Sequence, residues 1–99
     1  MDGRAKTWYL AECFWPGADV AALDAVGGDA RAAAARTAGT AHEVRYLGSL
    51  FMPSDEVVFY LFEGPSADAV EAVARAAGVP FERVVPSVLV TIEGKGGTR

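Results

Sequence analysis

Two β-rich runs, Glu43 to Met52 and Glu56 to Glu63, flank the short polar turn Pro53-Ser54-Asp55. Such a pairing can only be a hairpin, and a hairpin fixes what may stand around it. On each side of it lies a helical segment, and beyond each helix another strand. Thr7 to Trp15 is an aromatic and apolar strand stopped by Pro16-Gly17. Asp19 then stands at an N-cap position, and Val20, Leu23, Val26, Ala30 and Ala33 follow at helical spacing. The alanine-rich stretch to Ala38 extends this helix to Gly39, a C-cap residue. Gly27-Gly28 in its middle costs about 1 kcal/mol per glycine against alanine, so either the helix breaks there or something approaches its backbone closely. After the hairpin, Gly64-Pro65-Ser66 offers Ser66 as a second N-cap. Val70, Val73 and Ala77 mark a buried stripe that Gly78 ends and Pro80 seals. Val84 to Ile92 reads as the last strand.

The order is βαββαβ, a ferredoxin-like α+β fold: four antiparallel strands with two helices on one face. The domain spans 7–92, between a flexible N-terminus (1–6) and a flexible tail (93–99). Hydrophobic residues are 52% and charged residues 22% of the 99, enough apolar surface for a folded core. No apolar run reaches the roughly 20 residues that span a bilayer, and Met1 to Lys6 lacks a signal-peptide pattern. These features predict a cytoplasmic protein without membrane contact. One cysteine, Cys13, excludes an internal disulfide or a multi-cysteine zinc site, and one histidine, His42, excludes a multi-histidine site within one chain.

Strand alternation sorts the sheet into two faces. One assignment puts Tyr9, Ala11, Cys13, Val44, Tyr46, Gly48, Leu50, Val57, Phe59, Leu61, Val84, Val88 and Val90 beneath the helices. The opposite face then carries Trp8, Leu10, Glu12 and Phe14; Arg45, Leu47, Ser49 and Phe51; Val58, Tyr60 and Phe62; and Ser87, Leu89 and Thr91. That set is too apolar for water. Covering even about 600 Å² of it contributes roughly 15 kcal/mol before association costs. A second copy laid face to face is the economical cover, so the sequence predicts a homodimer with a chamber between two sheets. Polar groups set among aromatics suit a ligand site. Glu12, Arg45 and Tyr60 are its candidate catalytic groups: Glu12 as general acid or base, Arg45 and Tyr60 as donors to an anionic or carbonyl oxygen. A Glu12–Arg45 ion pair that merely fixes the sheet is the structural alternative. Trp8, Leu10, Phe14, Leu47, Ser49, Phe51, Phe62 and Ser87 would shape a hydrophobic small-molecule ligand. No cofactor fingerprint, phosphate loop or nucleophile elbow is present. His42 reads as a surface residue and Cys13 as a small buried hydrophobe. Four-stranded open sheets also bind single-stranded RNA. The net charge of −4, the acidic Glu12 and the missing basic-aromatic motif argue against nucleic acid here.

Four stretches carry a resemblance: Tyr9-Leu10-Ala11-Glu12, Val44-Arg45-Tyr46-Leu47-Gly48-Ser49, Leu61-Phe62-Glu63-Gly64-Pro65-Ser66-Ala67-Asp68-Ala69-Val70 and Ala76-Ala77-Gly78-Val79-Pro80-Phe81-Glu82-Arg83-Val84. Together they resemble a family of small ferredoxin-like proteins described as nickel-binding-protein-like, from about Thr7 to Ile92. The resemblance implies the same fold and a dimer of facing sheets. It is also similar, at fold level only, to dimeric barrels that include cofactor-independent cyclases and isomerases. The resemblance implies nickel as an alternative ligand, held by histidines partly on the helices. Those positions fall near Gly27 and Val73 here, neither of which ligates through a side chain, and the sequence predicts no metal-binding residue.

Overall fold

The computed structural model describes residues 7–88 and 90. Its elements run β1 (Thr7–Phe14), α1 (Val20–Ala35), β2 (Arg45–Met52), β3 (Val57–Gly64), α2 (Ala67–Ala77) and β4 (Arg83–Ser87). The sheet order is β2-β3-β1-β4, antiparallel throughout, with the helices against one face. This is the expected ferredoxin-like arrangement.

Local chemistry sets the helix ends. Asp19 caps α1 by accepting from the Ala22 N–H at 2.8 Å, and Ser66 caps α2 by accepting from the Ala69 N–H at 3.1 Å. Gly78 closes α2 with φ +73°, a left-handed turn that glycine takes without Cβ strain. In the hairpin turn Glu56 takes a left-handed φ of 56°, unusual for a residue with a Cβ. Its carbonyl accepts from the Trp15 N–H at 2.7 Å, which ties the turn to the end of β1.

Helix α1 ends earlier than its alanine run suggests, at Ala35 rather than before Gly39. Thr37 is the reason. Its hydroxyl donates to the Ala34 carbonyl at 2.6 Å and accepts from the Val44 N–H at 2.9 Å, pinning the chain into the approach to β2. Gly27-Gly28 does not break α1. A Cβ on Gly27 would stand 3.0 Å from the Tyr46 hydroxyl, so this glycine is the close approach; nothing comes near Gly28. The last strand is also shorter than expected, ending at Ser87. Val88 and Val90 are 84% and 88% exposed and do not lie under the helices. Leu89, Thr91, Ile92 and the two predicted flexible ends, 1–6 and 93–99, lie outside the described residues.

The core sits between the sheet and the helices. Ala11, Val58, Tyr60, Phe62, Val70 and Ala74 are completely buried there, with Leu23, Ala30 and Ala33 supplied by α1. Cys13 is in this layer as expected, its thiol pushed above its usual range by burial and then by the Glu82 carboxylate.

Candidate functional site

The face of the sheet without helices is the candidate site, and backbone register decides who stands on it. Residues directly opposite in an antiparallel pair share a face. In β1, Trp8, Leu10, Glu12 and Phe14 lie on the open side, as the alternation predicted. Their β3 partners are Glu63, Leu61, Phe59 and Val57. Those four therefore share the open face, which corrects the expected β3 assignment. Tyr60 and Phe62, predicted for the site, stand opposite Ala11 and Tyr9 and are 0% exposed in the core. Val58 goes with them. A strand whose register slips by one residue exchanges its faces completely, and an assignment made one strand at a time cannot fix that parity.

The same correction applies to half of β2, for a different reason. Arg45 opposes Glu63 and Tyr46 opposes Phe62, but Gly48 opposes Leu61: one residue too many lies between them. This is a β-bulge at Leu47, and it inverts the rest of the strand. Gly48, Leu50 and Met52 reach the open face. Ser49 and Phe51, expected there, oppose Tyr60 and Val58 and turn toward α1 instead. Leu47, at the bulge, has no strand partner. The Tyr46 and Phe62 rings, 5.5 Å apart, and a Tyr46–Ser49 hydroxyl contact of 2.5 Å belong to that helix side.

Two ion pairs stand on the open face, at opposite corners. Glu12 Oε1 accepts from Arg83 Nε at 2.6 Å, joining β1 to edge strand β4. Arg45 Nη1 lies 3.3 Å from Glu63 Oε1, joining edge strand β2 to β3. The expected Glu12–Arg45 pair does not form. Register puts Arg45 level with Trp8, four residues along β1 from Glu12, and β3 lies between their strands. Strand rise and spacing put their Cα atoms roughly 16 Å apart. Exposed pairs of this kind are worth about 0–1 kcal/mol each, so their consequence here is neutrality, two arginines against two glutamates. Between the corners the face is apolar: Trp8, Leu10, Leu61, Phe59 and Val85, with Leu50 62% and Phe14 53% exposed. Ser87 opposes Trp8 and spends its hydroxyl on the Val85 carbonyl at 3.2 Å.

Three candidate catalytic groups thus sit in three places. Glu12 is held by Arg83, Arg45 is at the far corner, and Tyr60 is beneath the helices. Burial, with Cys13 and Tyr46 adding to it, pushes the Tyr60 phenol above its usual range, and its hydroxyl has no protein partner. Of the predicted ligand-shaping residues, Trp8, Leu10, Phe14 and Ser87 share the open face. Ser49, Phe51 and Phe62 do not. Phe59, Leu61, Leu50, Met52, Glu63, Val85 and Arg83 belong to the face and were missed. One signal could have found the β3 members: Glu63 is that strand's single charge, so its parity marks the side away from the core. His42 is exposed at the mouth of a groove of about 620 Å³ between the helices, with Asp68, Ser66 and Arg36.

Comparison with known proteins agrees with this architecture. A family model described as nickel responsive protein SCO4226-like matches residues 9–86. The crystal structure of SCO4226 from Streptomyces coelicolor A3(2) superposes with a TM-score of 0.70 at 20% identity, covering 85% of this chain and 99% of that one. At such identity the likeness speaks for the fold. No curated protein matches the chain.

Proposed function

Because this chain belongs to the nickel-responsive SCO4226-like family of small α+β proteins, we propose from its open sheet face that it works as a homodimeric binding protein. Two copies would meet through that face and hold a hydrophobic small molecule between them. The observation that carries this reading is the face itself, an apolar field whose charges, among the described residues, close into two ion pairs. A net charge of −4 therefore resides elsewhere on the chain, and two such faces approach without net repulsion. Four strands by about seven residues span roughly 450 Å² of plane, so two copies bury on the order of 1,000 Å², the lower bound for a stable interface. Stacked sheets pack about 10 Å apart, and the missing side chain at Gly48, opposite Leu61 and diagonal to Phe59, leaves room for a guest.

Binding is favoured over turnover because the acid–base trio is dispersed. Glu12 is bonded to Arg83, Arg45 to Glu63, and the Tyr60 hydroxyl lies in the core, so the three do not converge on one reacting group.

Nickel does not fit the donor set. Imidazole is the natural nickel donor among side chains, and this chain has His42 alone. Among the described residues no three of His, Cys, Asp and Glu converge. Gly27 and Val73, the helix positions considered for nickel, line separate grooves without a donor atom of their own.

Sedimentation equilibrium tests the reading. The wild-type chain is expected at twice its monomer mass and Leu61→Arg, in the middle of the face, at the monomer mass. Anilinonaphthalene sulfonate should bind the wild type with enhanced fluorescence and lose that signal in Leu61→Arg. A wild-type monomer at micromolar concentration overturns the proposal. Calorimetric titration with nickel chloride is expected to be silent; a stoichiometric heat would restore the metal reading.

A further inference from the structure

The β-bulge and Gly27 together shape a cavity on the helix side of the sheet. A cavity of about 280 Å³ lies between α1 and edge strand β2, small for a ligand site but within reach of the usual range. Its wall on α1 is a single helical stripe, Val20, Leu23, Asp24, Gly27 and Arg31. Its wall on β2 is Tyr46, Ser49 and Phe51. Two costly local choices create it. Without the bulge, Ser49 and Phe51 would face the open side. With an alanine at position 27, the Tyr46 hydroxyl, 3.0 Å from the added Cβ, would have to give way by a few tenths of an ångström.

The polar groups are ordered along the cavity. At one end the Arg31 guanidinium lies over the Tyr46 ring, 5.4 Å from its centroid, a placement that fixes the cation while leaving its N–H donors available. Next come the Tyr46 and Ser49 hydroxyls, bonded to each other at 2.5 Å. Asp24 is two helical turns from Arg31, about 10.5 Å between Cα atoms. Beyond Asp24 lies the apolar end, Val20, Leu23 and Phe51. Among the described residues neither Asp24 nor Arg31 is drawn into an ion pair.

The geometry points to a binding site for a free α-amino acid with an apolar side chain. Its carboxylate meets Arg31 and the hydroxyl pair, its ammonium meets Asp24, and its side chain rests on Leu23 and Phe51. A zwitterion with hydrogen bonds at both ends spans about 8 Å, which the inward reach of the Asp24 and Arg31 side chains accommodates. The site lies outside the open sheet face and stands or falls independently of the homodimer.

Isothermal titration with L-leucine tests it, with L-valine and L-phenylalanine as size controls. Saturable binding of at least one of the three is expected. Isocaproate, which lacks the ammonium, and isoamylamine, which lacks the carboxylate, should each bind about tenfold or more weakly. Arg31→Gln and Asp24→Asn, both exposed on α1 and expected to keep the wild-type circular dichroism, should each weaken L-leucine by about tenfold. Silence with all three amino acids overturns the assignment. So does equal affinity for isocaproate and L-leucine, or unchanged affinity in both variants. Leu61→Arg should bind L-leucine as the wild type does, which separates this site from the sheet-face reading.

Discussion

The two halves of the helix-covered layer are built differently. On the α2 side every local rule is kept. Ser66 and Gly78 cap the helix, Glu71 and Arg75 pair one turn apart, and Val70, Val73 and Ala74 form one buried stripe. On the α1 side the rules are broken three times, by two glycines inside the helix, a bulge in the strand beneath it and a helix that stops inside its alanine run. The first half is scaffold. These departures mark the second half as the irregular one: the bulge and Gly27 let Phe51 and Tyr46 pack against the core along an edge where a cavity remains.

Substitutions can break this contrast. The largest effect is expected from Val70→Ala on the scaffold side. It removes a completely buried side chain packed beside Gly64 and should cost roughly 2 kcal/mol in a urea unfolding series. Next comes alkaline pH. Tyr60 and Cys13 both hold their protons more tightly in the folded chain than in the unfolded one. Stability from this source is complete below the unfolded values and falls as pH rises past about 8.5 for the thiol and about 10 for the phenol. Above pH 10 the slope should approach about 1.4 kcal/mol per pH unit for the phenol, and Tyr60→Phe should flatten that segment of the profile.

A smaller effect separates two hydroxyls. Tyr46→Phe breaks the bond to Ser49 and should cost about 1 kcal/mol, whereas Tyr60→Phe deletes an unpartnered buried hydroxyl and should be neutral or stabilising by about 1 kcal/mol at pH 7. The smallest sharpens the contrast most. Gly28→Ala should stabilise by about 0.5–1 kcal/mol, since nothing lies within 4 Å of the added methyl. Gly27→Ala should gain less, because Tyr46 must yield. Equal gains, measured as melting temperatures side by side, would remove the case for a purposeful glycine at position 27.

How far the sequence could be read follows the same division. Element order, both N-caps, the Gly78 stop and the β1 faces were legible because each depends on neighbours a few residues away. The Gly27-Gly28 pair announced either a break or a close contact, and Tyr46 is that contact. Tyr60 and Phe62 were misplaced because an uninterrupted apolar run such as Val57 to Phe62 has no alternation to orient it. Only pairing with β1 orients it. Ser49 and Phe51 were misplaced because a bulge leaves alternation intact on each side and merely changes its phase. Arg83 was invisible as a partner for Glu12 until β4 was seen to lie beside β1.

The single extra residue at Leu47 also binds the fates of two surfaces. Strand β2 gives Leu50 and Met52 to one and Ser49 and Phe51 to the other. Pairing Leu47 with Leu61 at constant length would send each pair to the opposite side, placing a hydroxyl among the greasy residues and a leucine against α1 at once, whereas loss of the Leu47 codon alone would leave every later partner in place. Point changes can tune either surface alone, but a one-residue slip in the pairing of this stretch must remodel both, so the phase of β2 matters to the two surfaces more than its composition does.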